Sequence, residues 1–343
     1  MAPSFEGNRV TRHTGTEFPI FQAPIGLISR AELVGAVSAA GGVGLMETAS
    51  LSLEALQVEF DGVRARSNRP FGLHLMIPML AGKPEREKAV LDWALDGRVR
   101  FITTGYGDPA RYMKRIKDAG MITYHQTDSL DEALRAEDAG ADGIVLAGAE
   151  KGGGNSPEGL HTFTLLQKAR RHIHVPIVAS GGIVDGYGMA AAFALGAEGV
   201  WMGTRFIASL ECPWHGNYKQ AIVDADEVIA IDLGLPLIPT MRAVRTPFAE
   251  AVARGEAGHK RNPYAGEAMK LFYEGRTDLA LVGCGESAVL IDAVKPAGDI
   301  VRDTVSEFWS EIDRLAGLRA SAGGGIPRAP SPLAGEGGCE ADG

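Results

Sequence analysis

Short apolar runs follow glycine at regular intervals along the 343-residue chain. Four stretches join the end of a helical pattern, a glycine and an apolar run: SAAGGVGLM (38–46), IKDAGMITY (116–124), EDAGADGIVL (137–146) and FALGAEGVWM (193–202). Glycine suits the left-handed position just after a helix, and short apolar runs are typical of strands buried on both faces of a parallel sheet. The pattern predicts alternating helices and strands.

Eight apolar runs are predicted to be strands, at residues 20–23, 42–46, 71–75, 101–103, 121–124, 143–146, 176–179 and 199–202. Eight strands separated by helical segments are typical of a (β/α)8 TIM barrel, whereas a doubly wound sheet carries a glycine fingerprint after its first strand. The loop QAPIGLISR after the first run lacks GxGxxG. We therefore predict an α/β fold, a TIM barrel with an inserted, mainly helical segment after strand eight.

Polar residues mark where helices are expected to begin. Ser29 with Glu32 and Ser129 with Glu132 have capping-box spacing, in which each side chain binds an otherwise free amide of the first turn. Asp185 is interpreted as another helix cap rather than as a catalytic acid.

The pattern divides the chain into three parts. Residues 10–235 and 286–318 are predicted to form the barrel, with a last helix over 307–318. Residues 236–285 are too long for one helix and too regular in their apolar spacing for a linker, so they are predicted to form an inserted helical cap segment over the barrel mouth. Residues 319–343, rich in Gly, Pro, Ala and Ser, are predicted to be a disordered tail.

Charge and cysteine content exclude several classes of partner. The 43 acidic and 34 basic residues give a net charge of −9 without a long basic run, which argues against nucleic acid or an anionic membrane and leaves a small-molecule substrate. The three cysteines are widely spaced, with no CxxC or zinc-finger spacing, so we expect neither a disulfide framework nor a metal site. Neither a signal peptide nor a long apolar segment is evident, and the expected location is cytoplasmic. The oligomeric state is left open.

Two glycine-containing loops near the end of the predicted barrel carry the strongest chemical signal. They are ASGGIVDG (179–186), after strand seven, and WMGTRF (201–206), after strand eight. TIM barrels often bind phosphate at these two loops, where glycine amides point at the anion. The alternative is that Gly181, Gly182 and Gly203 only permit tight turns. Because both loops carry the required residues, we favour phosphate binding.

Seven motifs resemble the nitronate monooxygenase family, also called 2-nitropropane dioxygenase-like, of FMN-dependent barrels. They are QAPIG, AGGVGLM, FGLHL, AGADGIVLAGAEKGGG, VPIVASGGIVDG, ALGAEGVWMGTRF and ECPWHGNYKQAI, in the family's order from about residue 10 to residue 318. The family is similar to flavin enoyl-thioester reductases and includes NAD(P)H:quinone reductases. The resemblance therefore implies the barrel and FMN more firmly than one reaction, because fold does not determine function.

The resemblance implies a set of FMN contacts. Ala23, Pro24 and Ile25 of QAPIG would lie beside the flavin ring. Gly152 and Gly153 of EKGGG would pass their backbone close to the isoalloxazine. The residues implied at the FMN phosphate are Ser180, Gly181, Gly182, Gly203 and Thr204.

Three positions depart from the family pattern. Relatives read roughly EAGGH where this chain has EKGGG, so Gly154 stands where the family has a histidine that acts as base or orients the nitronate. His74 of FGLHL occupies the place of a family asparagine near the flavin edge, and Gln126 aligns with a lysine that contacts FMN in some quinone reductases. The departures indicate altered chemistry, with room above the flavin for a bulkier acceptor.

Three side chains have both a structural and a functional interpretation. His74 is expected at a strand end facing the barrel mouth, where a hydrogen-bonding or acid role is as well supported as a structural one. His125 is expected to point toward the outer helices, which favours a structural role. Lys151 would steer an anionic substrate or cofactor, although a loop lysine is more often solvated.

Two classes of function fit these residues. The first is an FMN-dependent oxidoreductase that takes hydride from NAD(P)H and reduces a quinone, an enone or an enoyl thioester, with nitronate oxidation by O2 as the alternative reaction. The second is a flavin-binding protein without turnover. The donor, NADH or NADPH, and the acceptor are not specified by these motifs.

Overall fold

The computed structural model describes residues 4–155, 159–235, 238–256 and 269–321. Its strands are β1 (Ile20–Gln22), β2 (Leu45–Glu47), β3 (Gly72–Met76), β4 (Phe101–Gly105), β5 (Ile122–Thr127), β6 (Gly143–Ala147), β7 (Gly154–Asn155), β8 (Ile177–Ser180), β9 (Gly199–Met202), β10 (Val228–Leu235) and β11 (Ile238–Val244).

Helices follow most barrel strands and form the outer layer. They are α1 (Arg9–Thr14), α2 (Ala31–Ala39), α3 (Leu53–Arg66), α4 (Ile77–Leu80), α5 (Pro84–Ala94), α6 (Ala110–Asp118), α7 (Leu130–Asp138), α8 (Thr162–Ala169), α9 (Gly186–Ala194), α10 (Thr204–Ile207), α11 (Gly216–Val223), α12 (Pro247–Ala253), α13 (Met269–Glu274) and α14 (Ala297–Ser321), with a 3-10 helix at Glu286–Leu290. Within the described ranges, no helix is long and apolar enough to cross a membrane.

Eight parallel strands form the barrel, in the order β1-β9-β8-β6-β5-β4-β3-β2. A parallel bridge between Phe21 and Val43 joins the two ends of this sheet. All eight predicted strands are present, and the predicted TIM barrel is confirmed. The carboxyl ends of the strands therefore meet on one face, where barrel enzymes carry their active sites.

Large side chains fill the barrel interior because glycines on neighbouring strands leave room for them. A Cβ atom on Gly72 would lie 2.2 Å from the Phe101 ring, and one on Gly143 would lie 2.1 Å from the Tyr124 ring. The Tyr124 hydroxyl also lies 2.9 Å from Nδ1 of His13 on α1, beneath the barrel. The amino-terminal end of the barrel is thus packed, and the opposite end remains for a ligand.

Strands β10 and β11 form an antiparallel pair, the hairpin, that the sequence analysis missed. The two-residue strand β7 pairs with β11. In the described residues, the predicted helical cap 236–285 therefore contains one strand as well as α12 and α13. "Mainly helical" understates this sheet, which is stabilised by buried Ile231, Leu233 and Met241. The proposed domain boundaries stay a prediction.

The helix-cap predictions had mixed outcomes. The side chains of Ser129 and Asp185 accept hydrogen bonds from amides three residues further on, so both residues cap helices as predicted. The reciprocal half of the Ser129–Glu132 capping box is wrong, because the Ser129 amide and the Glu132 carboxylate both bond to the Thr127 hydroxyl instead. The Ser29 cap is wrong, because α2 begins at Ala31 and its first amide donates to Glu59 Oε2 at 2.8 Å. The Ser29 hydroxyl instead donates to the carbonyl oxygen of Ala23, at the end of β1.

The last helix is longer than predicted. It covers Ala297–Ser321, whereas the pattern had indicated 307–318. Residues 319–321 of the predicted tail belong to this helix, and residues 322–343 lie outside the described part of the chain.

Candidate active site

A cleft of about 1090 Å³ opens at the carboxyl ends of the barrel strands. This volume is slightly above the usual range for small-molecule sites, about 300–1,000 Å³. Leu235 of β10, Pro239 of β11 and Met269 of α13 contribute to its wall. The predicted site residues that line the cleft are Ala23, Pro24, Ile25, Gln126, Lys151, Gly152, Gly153, Gly154, Ser180, Gly181, Gly182, Gly203 and Thr204. His74 lies outside this lining.

The loop after β8 needs glycine for conformational and steric reasons. Gly181 and Gly182 have φ values of 103° and 73°, which side-chain-bearing residues rarely adopt. A Cβ atom on Gly181 would lie 2.8 Å from Thr162 Oγ1, and one on Gly182 would lie 3.3 Å from Glu150 Oε1. Among the described residues, neither glycine amide donates a hydrogen bond to a protein group. Both amides are therefore available to an anion.

The loop after β9 packs against the loop after β1. A Cβ atom on Gly203 would lie 3.6 Å from both Ala23 Cβ and Ile25 Cδ1, an ordinary contact distance. The Thr204 hydroxyl accepts a hydrogen bond from the Gly285 amide at 2.9 Å. Thr204 thus anchors the chain that returns from the insertion, and its hydroxyl hydrogen can still be donated to a ligand.

The three glycines after Lys151 differ in their structural surroundings. A Cβ atom on Gly152 would lie 3.1 Å from the backbone of Cys284 and of Gly285, so close approach by the insertion is enough to require glycine there. Gly153 has a φ of 76° with open space at its Cβ position. Gly154 pairs with Met241 in the hairpin sheet while also lining the cleft.

Lys151 is buried in the cleft wall, with only 6% of its surface exposed. Its ammonium donates to the carbonyl oxygen of Gly154 and lies 5.4 Å from the centre of the Tyr106 ring. Burial lowers the pKa of this ammonium to about 8, although the Asp128 carboxylate opposes the change. The solvated alternative for Lys151 is therefore wrong.

His74 lies inside the barrel, fully buried beneath the cleft. Its Nδ1 atom is 2.8 Å from Thr103 Oγ1, whereas Nε2 has no hydrogen-bond partner in the part of the chain that the structure describes. Burial, and to a lesser degree the neighbouring His125, lower the pKa of His74 to about 3. The imidazole is consequently neutral near pH 7, which does not suit a proton donor but leaves a hydrogen-bonding role as a prediction.

The contacts of Gln126 and His125 show which way each side chain points. Gln126 lines the cleft and its Nε2 atom donates to the Tyr106 hydroxyl at 3.4 Å. His125 lies on the other face of β5, 2.8 Å from Thr104 Oγ1 and 3.4 Å from Glu132 Oε1. The outward orientation and structural interpretation of His125 agree with these contacts.

Backbone strain marks two cleft residues that the sequence analysis missed. Among the described residues other than glycine, only Leu27 and Tyr106 have positive φ values, 70° and 56°. Both line the cleft, and strained backbone often concentrates at functional sites. The glycines that flank Tyr106 in GYG were the available signal, but they indicate a turn rather than a ligand contact.

Comparisons with known proteins agree with this geometry. Residues 8–306 match the family described as nitronate monooxygenase. The chain belongs to that family. A probable nitronate monooxygenase from Staphylococcus aureus (strain MSSA476) is 26% identical over 345 residues, which cover 88% of this chain and 97% of the relative.

Other proteins similar to this chain carry different names. A Mycobacterium tuberculosis protein named (3aS,4S,5R,7aS)-5-hydroxy-7a-methyl-1-oxo-octahydro-1H-indene-4-carboxyl-CoA dehydrogenase is 29% identical over 265 residues, 74% of this chain and 72% of the relative. FabK from Thermotoga maritima superposes with a TM-score of 0.81 at 32% identity, covering 91% of this chain and 99% of that chain. Nitroalkane oxidase from Streptomyces ansochromogenes, with a TM-score of 0.75 and 24% identity over 89% and 99% of the chains, shows the fold alone.

Family membership makes this protein a flavin-dependent oxidoreductase and confirms the resemblance inferred from the motifs. The cleft fits a flavin phosphate on one observation. The amides of Gly181 and Gly182, two residues of the cleft lining, donate to no acceptor among the described residues, and a phosphate bound there would accept hydrogen bonds from them. The buried Nε2 atom of His74 lies outside the lining and does not contribute to this fit.

Proposed function

We propose that this nitronate monooxygenase-family protein binds FMN in the cleft and uses NAD(P)H to reduce an organic acceptor, with an enoyl thioester as the favoured class. The observation that carries the proposal is the wall formed by Gly152, Gly153 and Gly154. It has no side chain where relatives are expected to carry an imidazole, in a cleft of about 1090 Å³. Such a wall leaves room for a bulky acceptor.

The cofactor would be held by groups from three barrel loops. Ala23, Pro24 and Ile25 would contact the flavin ring, with Gln126 below its edge. FMN would supply the transfer of a hydride from NAD(P)H to the acceptor. The phosphate would be held by Ser180, Gly181, Gly182, Gly203 and Thr204, whose loops occupy the usual phosphate position of TIM barrels.

An enoyl thioester is favoured over a quinone or a simple enone for two reasons. The Mycobacterium tuberculosis relative is named for a carboxyl-CoA substrate. The cleft also combines an apolar wall, including Met76, Pro78 and Met79, with the Lys151 ammonium. Apolar surface suits an acyl chain, and a cation suits the negative charge that develops on a reduced thioester carbonyl.

Nitronate oxidation is the second candidate, because the family and the Staphylococcus aureus relative carry that name. It is the weaker candidate for this chain. Removing a proton from a nitroalkane requires a positioned base, and Gly154 provides none. A preformed nitronate would avoid that step but would still lack the orienting imidazole.

The test starts with the purified protein and its released cofactor. We expect yellow protein whose flavin is FMN and is bleached anaerobically by NADH or NADPH. Crotonyl-CoA, cyclohexenone, menadione and propyl-1-nitronate are then added separately to the reduced protein. Faster reoxidation by crotonyl-CoA than by the other acceptors supports the proposal. Release of FAD contradicts the FMN assignment, faster nitronate turnover favours the second candidate, and flavin that no pyridine nucleotide reduces indicates a binding protein.

A further inference from the structure

A hydrogen bond and a cation–π contact hold the Lys151 ammonium against the cleft wall. Its Nζ donates to the Gly154 carbonyl oxygen and stands over the face of Tyr106, on the loop after β4. Asp128, after β5, and Arg242, on β11, are the charged groups that act on it from neighbouring elements. The amine is therefore fixed beside the stretch of wall that carries no side chain, and Lys151 itself lines the same cleft.

We propose that Lys151 is the proton donor that completes reduction of the acceptor, an inference that rests on the proposed reduction of an enoyl thioester. A hydride derived from NAD(P)H adds to the β-carbon, and the π electrons of the C=C bond move toward the α-carbon. One N–H bond of Lys151 breaks as the α-C–H bond forms. The acceptor gains two electrons, NAD(P)H loses two, and the neutral amine regains a proton from water.

The other protic groups around the cleft are less suited to this step. His74 has a pKa of about 3 and is neutral, so its ring N–H is a weak acid. Burial raises the pKa of the Tyr106 hydroxyl, and it raises that of the Cys284 thiol to about 12. An acid is most effective when its pKa lies near the working pH, and Lys151, with a pKa of about 8, meets that condition.

Two variants separate proton donation from simple attraction of negative charge. Lys151→Met removes both the charge and the proton and keeps an unbranched side chain. Lys151→Arg keeps the charge, but a guanidinium does not release its proton in this pH range. Lys219→Met is the matched control, because Lys219 is a buried lysine outside the cleft lining that donates to the Leu210 carbonyl oxygen at 3.3 Å.

Each holoenzyme is assayed by stopped flow in two separate half-reactions, with bound flavin measured by absorbance. Lys151→Met and Lys151→Arg should retain flavin and be reduced by NAD(P)H within about twofold of wild type. Reoxidation by crotonyl-CoA should slow by about a hundredfold or more, the usual contribution of a general acid. The wild-type reoxidation rate should fall about tenfold per pH unit above about pH 8, and this limb should vanish in both variants. Lys219→Met should match wild type.

Three results would overturn the inference. Reoxidation of Lys151→Met at the wild-type rate would show that Lys151 has no role in acceptor reduction. Reoxidation of Lys151→Arg at the wild-type rate would show that Lys151 contributes only its positive charge. An unchanged alkaline limb in either variant assigns the proton to another group. Failure of the proposed function is recognised separately, because wild-type protein would then be reoxidised by menadione or nitronate and not by crotonyl-CoA.

Discussion

Lys151 and His74 show why single residues were the least predictable part of the site. Lys151 lines the cleft, whereas His74, which was expected at the barrel mouth, lies outside the cleft lining. Their burial could not be inferred, because it depends on the hairpin that covers Lys151 and on the barrel layer that encloses His74. Burial lowers the pKa of Lys151 to about 8 and that of His74 to about 3. Of the two side chains, only the lysine therefore changes its charge near neutral pH.

A buried ammonium should reduce stability, and Lys151→Met should reveal it. The folded pKa of about 8 lies below the ordinary value of 10.5, so the unfolded chain binds more protons between these pH values and wild-type stability rises with pH there. We expect Lys151→Met to raise the free energy of unfolding by about 3 kcal/mol at pH 7 and about 1 kcal/mol at pH 9.5. Urea unfolding at both pH values measures this, with Lys219→Met as control. A difference that does not shrink with pH would show that the lysine is not destabilised by burial.

His74→Ala tests whether the unpartnered Nε2 atom contacts the flavin edge or the acceptor. One hydrogen bond contributes about 0.5–1.5 kcal/mol, so flavin reoxidation by the acceptor should slow about three- to tenfold, with a smaller change in FMN affinity. The ratio of variant to wild-type rate should be equal at pH 6 and pH 8, because a group with a pKa of about 3 is neutral at both. Equal reoxidation rates would leave His74 with a structural role only.

At the scale of elements, the local sequence pattern predicted the repeated strands of the barrel well and the inserted hairpin poorly. All eight barrel strands were found because each is an apolar run behind a helix-ending glycine or a turn. The hairpin was missed although Ile229, Ile231, Leu233 and Leu235 alternate with small or polar residues, a period typical of strands. Strand pairing such as that of Gly154 with Met241 joins distant parts of the chain, so no local pattern indicates it.

The loop after β8 is the element whose glycines should matter most for cofactor binding. Gly182→Leu introduces a side chain at a φ of 73°, against the Glu150 carboxylate, and should displace the loop amides from the phosphate. Gly120→Leu is the matched control, with a φ of 69°, open space at its Cβ position and no place in the cleft lining. Both variants should lose stability, but only Gly182→Leu should lose bound flavin. Flavin retained at the wild-type level by Gly182→Leu would contradict the phosphate assignment.

At the scale of the whole molecule, fold and reaction are decided by different residues. The barrel and family membership rest on features spread over residues 8–306, which explains why both could be inferred from many weak motifs. The reaction depends on a few groups around one cleft, and members of a fold class differ most there. The exchange that the family resemblance implies at Gly154, glycine in place of an imidazole, with a buried lysine three residues earlier, is the difference we expect to redirect the chemistry.

That exchange can be partly reversed by Gly154→His. Wild-type protein should consume O2 slowly with 2-nitropropane and propyl-1-nitronate, because Gly154 offers no base or orienting group, and a positioned base contributes about a hundredfold to ten-thousandfold. Gly154→His should raise nitronate turnover and lower reduction of crotonyl-CoA, since the imidazole both provides a base and fills space in the cleft. Oxygen consumption and NAD(P)H oxidation measure the two activities in one preparation. Rapid nitronate turnover by wild type would show that another group supplies the missing imidazole. A variant that loses both activities while keeping its flavin would show that Gly154 is needed for the hairpin pairing with Met241 rather than for the choice of acceptor.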